Sequence, residues 1–250
     1  MTPVFLLLLF FSMTAMAAGE KTKDLSEIIS DANDGSPNLI DGDIAPSSQK
    51  NAAMCTYSRC KWPKRGRYVT VPVAISSRFS RSERNTIIRS LVSFHRTTCI
   101  RFVWRKYWWQ RNYIYFYSGP GCFSNIGRKG GRQYISLKKN ACVVNQVVQH
   151  EVLHALGFHH EHKRTDRDKY VRINWQNIIP KQKHNFNRVS TNNLWTGYDF
   201  NSVMHYGKYF FTKNGKPTIV AKNPSQTFGR ARSMSYSDIL RVNRLYRCWR

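Results

Sequence analysis

Between His150 and His160 the chain reads His-Glu-Val-Leu-His-Ala-Leu-Gly-Phe-His-His, and no other stretch constrains it as much. Apolar residues at Val143, Val147, Leu153 and Leu156 recur near helical spacing, which predicts a helix within residues 143–157 with Gly157 as its stop. His150 and His154, four residues apart, then share one face of that helix. Two imidazoles held this way can reach one metal ion. Glu151, beside the first, is placed to act on a water there without binding the metal itself. Gly157 can take a left-handed conformation and turn the chain back, so that His160 completes a three-nitrogen site. Three neutral histidines with a fourth position open describe a catalytic zinc rather than a structural one. Zinc in such a site lowers the pKa of its water to about 7. His95, His159, His162, His184 and His205 lie off this spacing and are expected in packed or surface roles, although His159 sets a competing imidazole beside His160.

The amino-terminal residues bear on the compartment. Val4 to Phe11 is an unbroken apolar run, and Ala15-Met16-Ala17 supplies the small-x-small pattern of a signal-peptidase site. Residues 1–17 are therefore expected to be a signal peptide and the product to be secreted. A membrane anchor is the alternative, but the run is short for a bilayer and lacks a stop-transfer flank. Six cysteines suit export and suggest three disulfides, with fifteen pairings open. No Cys-x-x-Cys pair points to a cysteine metal site or a redox site.

Composition changes near residue 50. Residues 18–50 hold seven acidic groups and three lysines, so the chain's 40 basic and 14 acidic residues leave 37 against 7, a net charge of +30, on residues 51–250. A short acidic leader followed by one domain is expected. Such a charge predicts salt-sensitive attraction to polyanionic surfaces or acidic matrices. Residues 61–67 and 105–111 interleave aromatics with cations, as single-strand nucleic-acid binders do. A solvated basic face accounts for both runs, and no nucleic-acid partner is expected.

From about residue 38 to Cys248 the chain resembles the astacin family of metzincin zinc proteases. The resemblance rests on the zinc motif and on its extension through Glu161, His162, Arg164, Asp166, Arg167, Asp168 and Tyr170-Val171. It rests also on Ser202-Val203-Met204-His205-Tyr206, which is similar to the family's Met-turn. It implies an α+β, two-lobed zincin/metzincin fold. Strand candidates at Tyr68–Ile75, Ile100–Trp104, Tyr113–Tyr117 and Tyr134–Leu137, a helix from Ser80 to His95 and the zinc helix would build the upper lobe. An irregular lower lobe would carry the Met-turn. One zinc ion (Zn2+) on His150, His154 and His160 is implied, with Glu151 catalytic, Met204 an apolar floor, and Tyr206 a removable ligand that stabilises the oxyanion. Substrate would lie extended along an upper-lobe edge, for which Gly121-Cys122-Phe123-Ser124 is the candidate.

The same resemblance reaches the leader. Ile40-Asp41-Gly42-Asp43-Ile44 is similar to the family's pro-segment motif, with Ile40 in place of an aromatic residue. It implies that Asp43 binds the zinc in an inactive precursor, although the local sequence alone also reads as an ordinary turn aspartate. Residues 18–50 would then be the inhibitory propeptide and 51–250 the catalytic domain. A trypsin-like activating protease would cut between Lys50 and Asn51, and the new amino terminus would be buried against Glu161. Family-like pairing implies Cys99–Cys248 and Cys122–Cys142. Cys55 and Cys60, an implied third bridge, resemble the six-cysteine astacins of fish, which include the hatching (choriolytic) enzymes. The expected function is therefore a monomeric, secreted zinc metalloendopeptidase without a membrane anchor, held in secretory granules before release and acting on egg-envelope proteins. A six-cysteine astacin of defence or matrix remodelling is one alternative. A cationic secreted binding or antimicrobial protein is another, against which the intact Glu151 and three-histidine set count.

Overall fold

A computed structural model of the chain describes residues 23–36, 38–46 and 60–249. The expected signal peptide, the Lys50–Asn51 cleavage site and Cys55 lie outside the described residues.

Strand β2 (Tyr68–Ile75) alternates as a half-buried strand should, with Val69, Val71, Val73 and Ile75 inward. It runs parallel to β3 (Ile100–Trp104) and to β4 (Tyr113–Tyr117), and β4 runs parallel to β6 (Arg132–Leu137). The short β1 (Lys64–Arg65) pairs antiparallel with the start of β2. At the far edge β5 (Cys122–Phe123) lies antiparallel to β6, so the expected substrate edge is the last strand of the six-stranded sheet.

Helix α2 (Arg81–Thr97) opens with a capping box between Ser80 and Glu83 and buries Ile87, Ser90, Leu91 and Phe94 at helical spacing. Helix α3 (Asn145–Ala155) is buried at every position from Val147 to Ala155. Its position is set at the carboxyl end, where carbonyls have no helical partner. The Trp62 indole N–H donates to the Ala155 carbonyl at 3.0 Å, and the Tyr246 hydroxyl donates to that of Leu156 at 2.9 Å. Trp62 is thus buried inside the first basic run rather than displayed on it, whereas Tyr107, Trp108 and Trp109 of the second run are exposed.

The lower lobe is irregular, with short 3-10 turns, one small ladder of β7 (Val171–Ile173) and β8 (Ile219–Ala221), and its own cluster around Ile178, Phe186, Tyr206, Phe210 and Phe228. The α+β, two-lobed arrangement is the one expected. Two helices were not anticipated. Helix α1 (Leu25–Asn33), within the acidic leader, buries Leu25, Ile29 and Ala32 in the main core. Helix α4 (Tyr236–Tyr246) buries Val242, Leu245 and Tyr246. Each starts with a capping box, Asp24 with Glu27 and Ser235 with Asp238.

Disulfides join Cys99 to Cys248 and Cys122 to Cys142. The first ties the entry of β3 to the residues beyond α4, and the second ties the edge strand to the approach of α3. Cys60 is also disulfide-bonded. No helix among the described residues is long and apolar enough to cross a membrane.

Candidate active site

Helix α3 carries His150 and His154, and a turn at Gly157 (φ 109°) brings His160 back to meet them. Glycine tolerates that backbone where other residues are strained. The three Nε2 atoms lie 3.1, 3.2 and 3.3 Å from one another, and all three imidazoles are buried. His150 donates from Nδ1 to the Val203 carbonyl at 2.6 Å, and His154 donates from Nδ1 to the Phe158 carbonyl at 2.7 Å. Each donation fixes the tautomer and leaves the Nε2 lone pair bare. Bare nitrogens this close repel unless a cation lies between them. Tetrahedral zinc with nitrogens at about 2.0–2.1 Å requires them to stand about 3.3 Å apart, so the donor set fits that ion.

The fourth side of the cluster is closed by the leader. Asp43 Oδ2 lies 3.0 Å from both His150 Nε2 and His160 Nε2, and Oδ1 lies 3.5 Å from His154 Nε2. These four side chains form a buried group able to hold one metal ion. Burial by itself raises the Asp43 carboxyl. Its contacts with the three imidazoles outweigh that and hold it well below the usual carboxylate range.

Backbone conformation aims this carboxylate. Asp41 (φ 52°) and Gly42 (φ 77°) are successive left-handed residues, and a side chain at Gly42 would come within 2.9 Å of the Phe211 ring. Asn33, at the end of α1, donates to the carbonyls of Gly42 and Cys122 at 2.7 Å each and accepts from the Cys122 N–H at 2.7 Å. The Ser124 N–H donates to the Asp43 carbonyl at 3.0 Å, and the Ala45 N–H donates to the Ser124 carbonyl at 2.8 Å. The leader thus runs along the Gly121–Ser124 edge, parallel to it at the Ile44–Ser124 bridge.

Glu151 is fully buried, and neither carboxylate oxygen has a hydrogen-bond partner. Burial, then the charge of Asp43, push its carboxyl well above the ordinary value. An unpartnered carboxyl in that state takes and holds a proton readily. The Tyr206 ring stacks on His162 at 3.9 Å, and its hydroxyl donates to the Asp41 carbonyl rather than turning to the imidazole cluster. Met204 is buried in the main core, and its carbonyl accepts from the Glu161 N–H at 2.8 Å.

Two functional supports were missed in the sequence. Asp238, on α4, accepts from the Ser202 hydroxyl at 2.6 Å and the Val203 N–H at 3.1 Å, and so fixes the turn whose carbonyl orients His150. Its Ser235-x-x-Asp238 capping box was the available signal. Arg241 grips Glu161 with two hydrogen bonds at 2.5 and 2.9 Å, and Arg164 stands 3.4 Å away. Glu161, expected to meet a new amino terminus, is in this form already paired and buried. Arg241→Met leaves the Glu161 carboxylate buried without its main partner, which typically costs about 3–5 kcal/mol. The thermal midpoint is expected to fall by about 10 °C, read by calorimetry beside the unaltered chain.

His205 is packed, not a ligand. Its Nδ1–H donates to the Tyr206 carbonyl at 2.7 Å, so Nε2 accepts from the Tyr198 hydroxyl at 2.7 Å. Burial lowers its pKa to about 4, against modest opposition from the Tyr206 carbonyl and Asp199. The unfolded chain therefore binds the proton first as pH falls. The stability His205 brings is complete above about pH 6.5 and is lost between there and about pH 4, by on the order of 3 kcal/mol. Thermal midpoints measured across that window should fall less steeply in His205→Asn than in the unaltered chain.

A buried glutamate on the helix that carries two of three converging imidazoles, with a carboxylate from the leader on the fourth side, defines the class of zinc metalloendopeptidases. Comparison with known proteins narrows it. The model of the astacin family of peptidases matches residues 55–247. High choriolytic enzyme 2 of Oryzias latipes is 44% identical over 226 residues, covering 89% of this chain and 80% of that protein. Low choriolytic enzyme of the same fish is 42% identical over 231 residues, covering 90% and 84%. The structure of high choriolytic enzyme 1, a hatching-enzyme zinc protease of medaka, superposes with a TM-score of 0.75 at 45% identity, covering 79% of this chain and all of that one. The chain belongs to the astacin family and is a zinc-dependent endopeptidase.

Proposed function

We propose that the chain is the latent, secreted precursor of a hatching-type endopeptidase that cleaves egg-envelope proteins. The observation that carries the latency is Asp43 seated against all three histidines, on the side that a substrate would otherwise approach. Similarity to the choriolytic enzymes supports the substrate class. Residues 1–17 would direct export, 18–50 would block the cleft, and 51–250 would be released by a trypsin-like cut after Lys50.

His150, His154 and His160 would hold the zinc ion, which when bound supplies Lewis acidity toward the scissile carbonyl and the attacking water. Removal of the leader takes Asp43 out of the cluster and with it the negative charge that helps keep Glu151 protonated. Glu151 can then take the proton of the attacking water and pass it to the departing amine. Tyr206, freed from the Asp41 carbonyl, has a hydroxyl available for the oxyanion of the tetrahedral intermediate. Glu161 and Met204 support this group through the Arg241 pair and the Met-turn backbone. Trypsin-trimmed protein incubated with isolated fish egg envelopes should release soluble fragments and soften the envelope. Intact envelopes, under conditions where the same sample digests a denatured protein, would move the substrate to another matrix.

A further inference from the structure

Residues 105–111, a run of cations and aromatics that the histidine cluster does not use, form a braced knuckle at the end of β3. Gln110 Oε1 accepts from the N–H groups of Lys106 and Tyr107 at 2.8 and 3.0 Å. The Arg105 guanidinium donates to the Gln110 carbonyl at 3.1 Å and to the Trp108 carbonyl at 3.3 Å. The Tyr107 and Trp109 rings stack at 4.4 Å, and Trp108 stands edge-on to Trp109 with 75% of its surface exposed. Single exposed aromatics are ordinary, but three fixed side by side make a patch of the kind that meets a partner.

Arg105 carries this patch onto the sheet. Ile114 and Phe116 of β4 and Ile135 and Leu137 of β6 share the main core with α3, so the alternate residues of both strands face outward. The Arg105 guanidinium sits over the Tyr113 ring at 4.4 Å, and Tyr113 is in register with Arg132 on β6. Arg132 sits over the Tyr134 ring at 5.1 Å, and Tyr134 meets the Tyr117 ring edge-on at 5.4 Å. A continuous band of rings and cations therefore runs from the knuckle across the outer face of the sheet, away from α3. Among the described residues Arg105, Lys106 and Arg132 form no ion pair. No aspartate or glutamate occurs between Glu83 and Glu151, so the band has no carboxylate of its own on β3 to β6.

We propose that this band is a binding site for a linear sulfated polysaccharide, which would hold the protein to a matrix without entering the histidine cluster. Sulfate groups accept charge-assisted hydrogen bonds from guanidinium and ammonium groups, and the apolar faces of sugar rings cover exposed aromatic surface. A chain that repeats both features matches a band that repeats cations and rings. An acidic peptide answers the cations but brings no ring faces for the indoles. A lipid surface calls for apolar groups gathered on one side with the cations on the other, whereas here the two alternate along a strand face.

The test titrates the uncleaved chain with a heparin oligosaccharide, its desulfated counterpart, a polyglutamate peptide, a single-stranded oligonucleotide and vesicles of anionic phospholipid. The sulfated oligosaccharide should bind at least about tenfold more tightly than any of the others, with an affinity that falls as salt rises. Trp108→Ala should weaken it by about threefold to tenfold. Lys106→Ala with Arg132→Ala should weaken it by about tenfold to a hundredfold. Lys181→Ala with Lys183→Ala removes the same charge from exposed positions of the lower lobe and should change it by less than about twofold. Unchanged thermal midpoints keep a loss of binding apart from a loss of fold. Equal losses in the two double variants would reduce the binding to net charge and overturn the site. Equal or tighter binding of the peptide, the oligonucleotide or the vesicles by the unaltered chain would overturn the polysaccharide as its partner, whether or not the variants fold. Neither result touches the endopeptidase reading, because no step of the test depends on hydrolysis.

Discussion

Glu151→Gln in the trimmed protein removes hydrolysis of a denatured substrate while leaving zinc content unchanged. The substitution keeps the shape of the side chain and deletes its capacity to accept and return a proton. General acid–base groups contribute about 10²- to 10⁴-fold, and a group serving both proton transfers belongs at the upper end, so kcat/KM should fall by about a thousandfold or more. Glu151 makes no hydrogen bond that the fold depends on, since both of its oxygens lack partners. A change to the neutral amide should therefore leave the thermal midpoint near that of the unaltered protein. Metal analysis of the same sample separates this role from that of a ligand: loss of zinc together with loss of activity would place Glu151 among the donors instead.

Asp43→Ala in the uncleaved chain is expected to break latency. The carboxylate faces three imidazoles in a fully buried setting. Removal of one partner from such a group typically costs about 3–5 kcal/mol, which corresponds to a factor of about 10² to 10⁴ in the blocked population. Uncleaved Asp43→Ala should therefore hydrolyse a small fluorogenic peptide about a hundredfold faster than the uncleaved parent. It should remain slower than the trimmed enzyme, because Asn33 and Lys163 still hold the leader along the cleft. Equal and negligible rates for the two uncleaved chains would assign latency to those contacts rather than to Asp43.

Much of this site was legible because it is local. His150, His154, Gly157 and His160 lie within eleven residues, and helical periodicity alone puts two of them on one face. The strands of the upper lobe were legible for the same reason, since β2 shows its alternation directly. Contacts between distant segments were not. Arg241 meets Glu161 across 80 residues, and Asn33 meets Cys122 across 89, with nothing in either local sequence to announce the partner. Helix α1 was overlooked because acidic, turn-forming residues follow it closely, although its Asp24–Glu27 capping box was present. Lys163 sits in a sequence rich in charge, where a solvated cation is the ordinary expectation. In the fold it is buried and paired with Asp41 of the leader.

The most direct measurement is hydrolysis of a denatured protein by the chain before and after trypsin trimming, with and without a zinc chelator. The account predicts little activity before trimming, strong activity after it, loss on chelation and recovery when zinc is added back. Activity that survives complete removal of the metal, or its absence from a correctly trimmed and zinc-loaded protein, would contradict it.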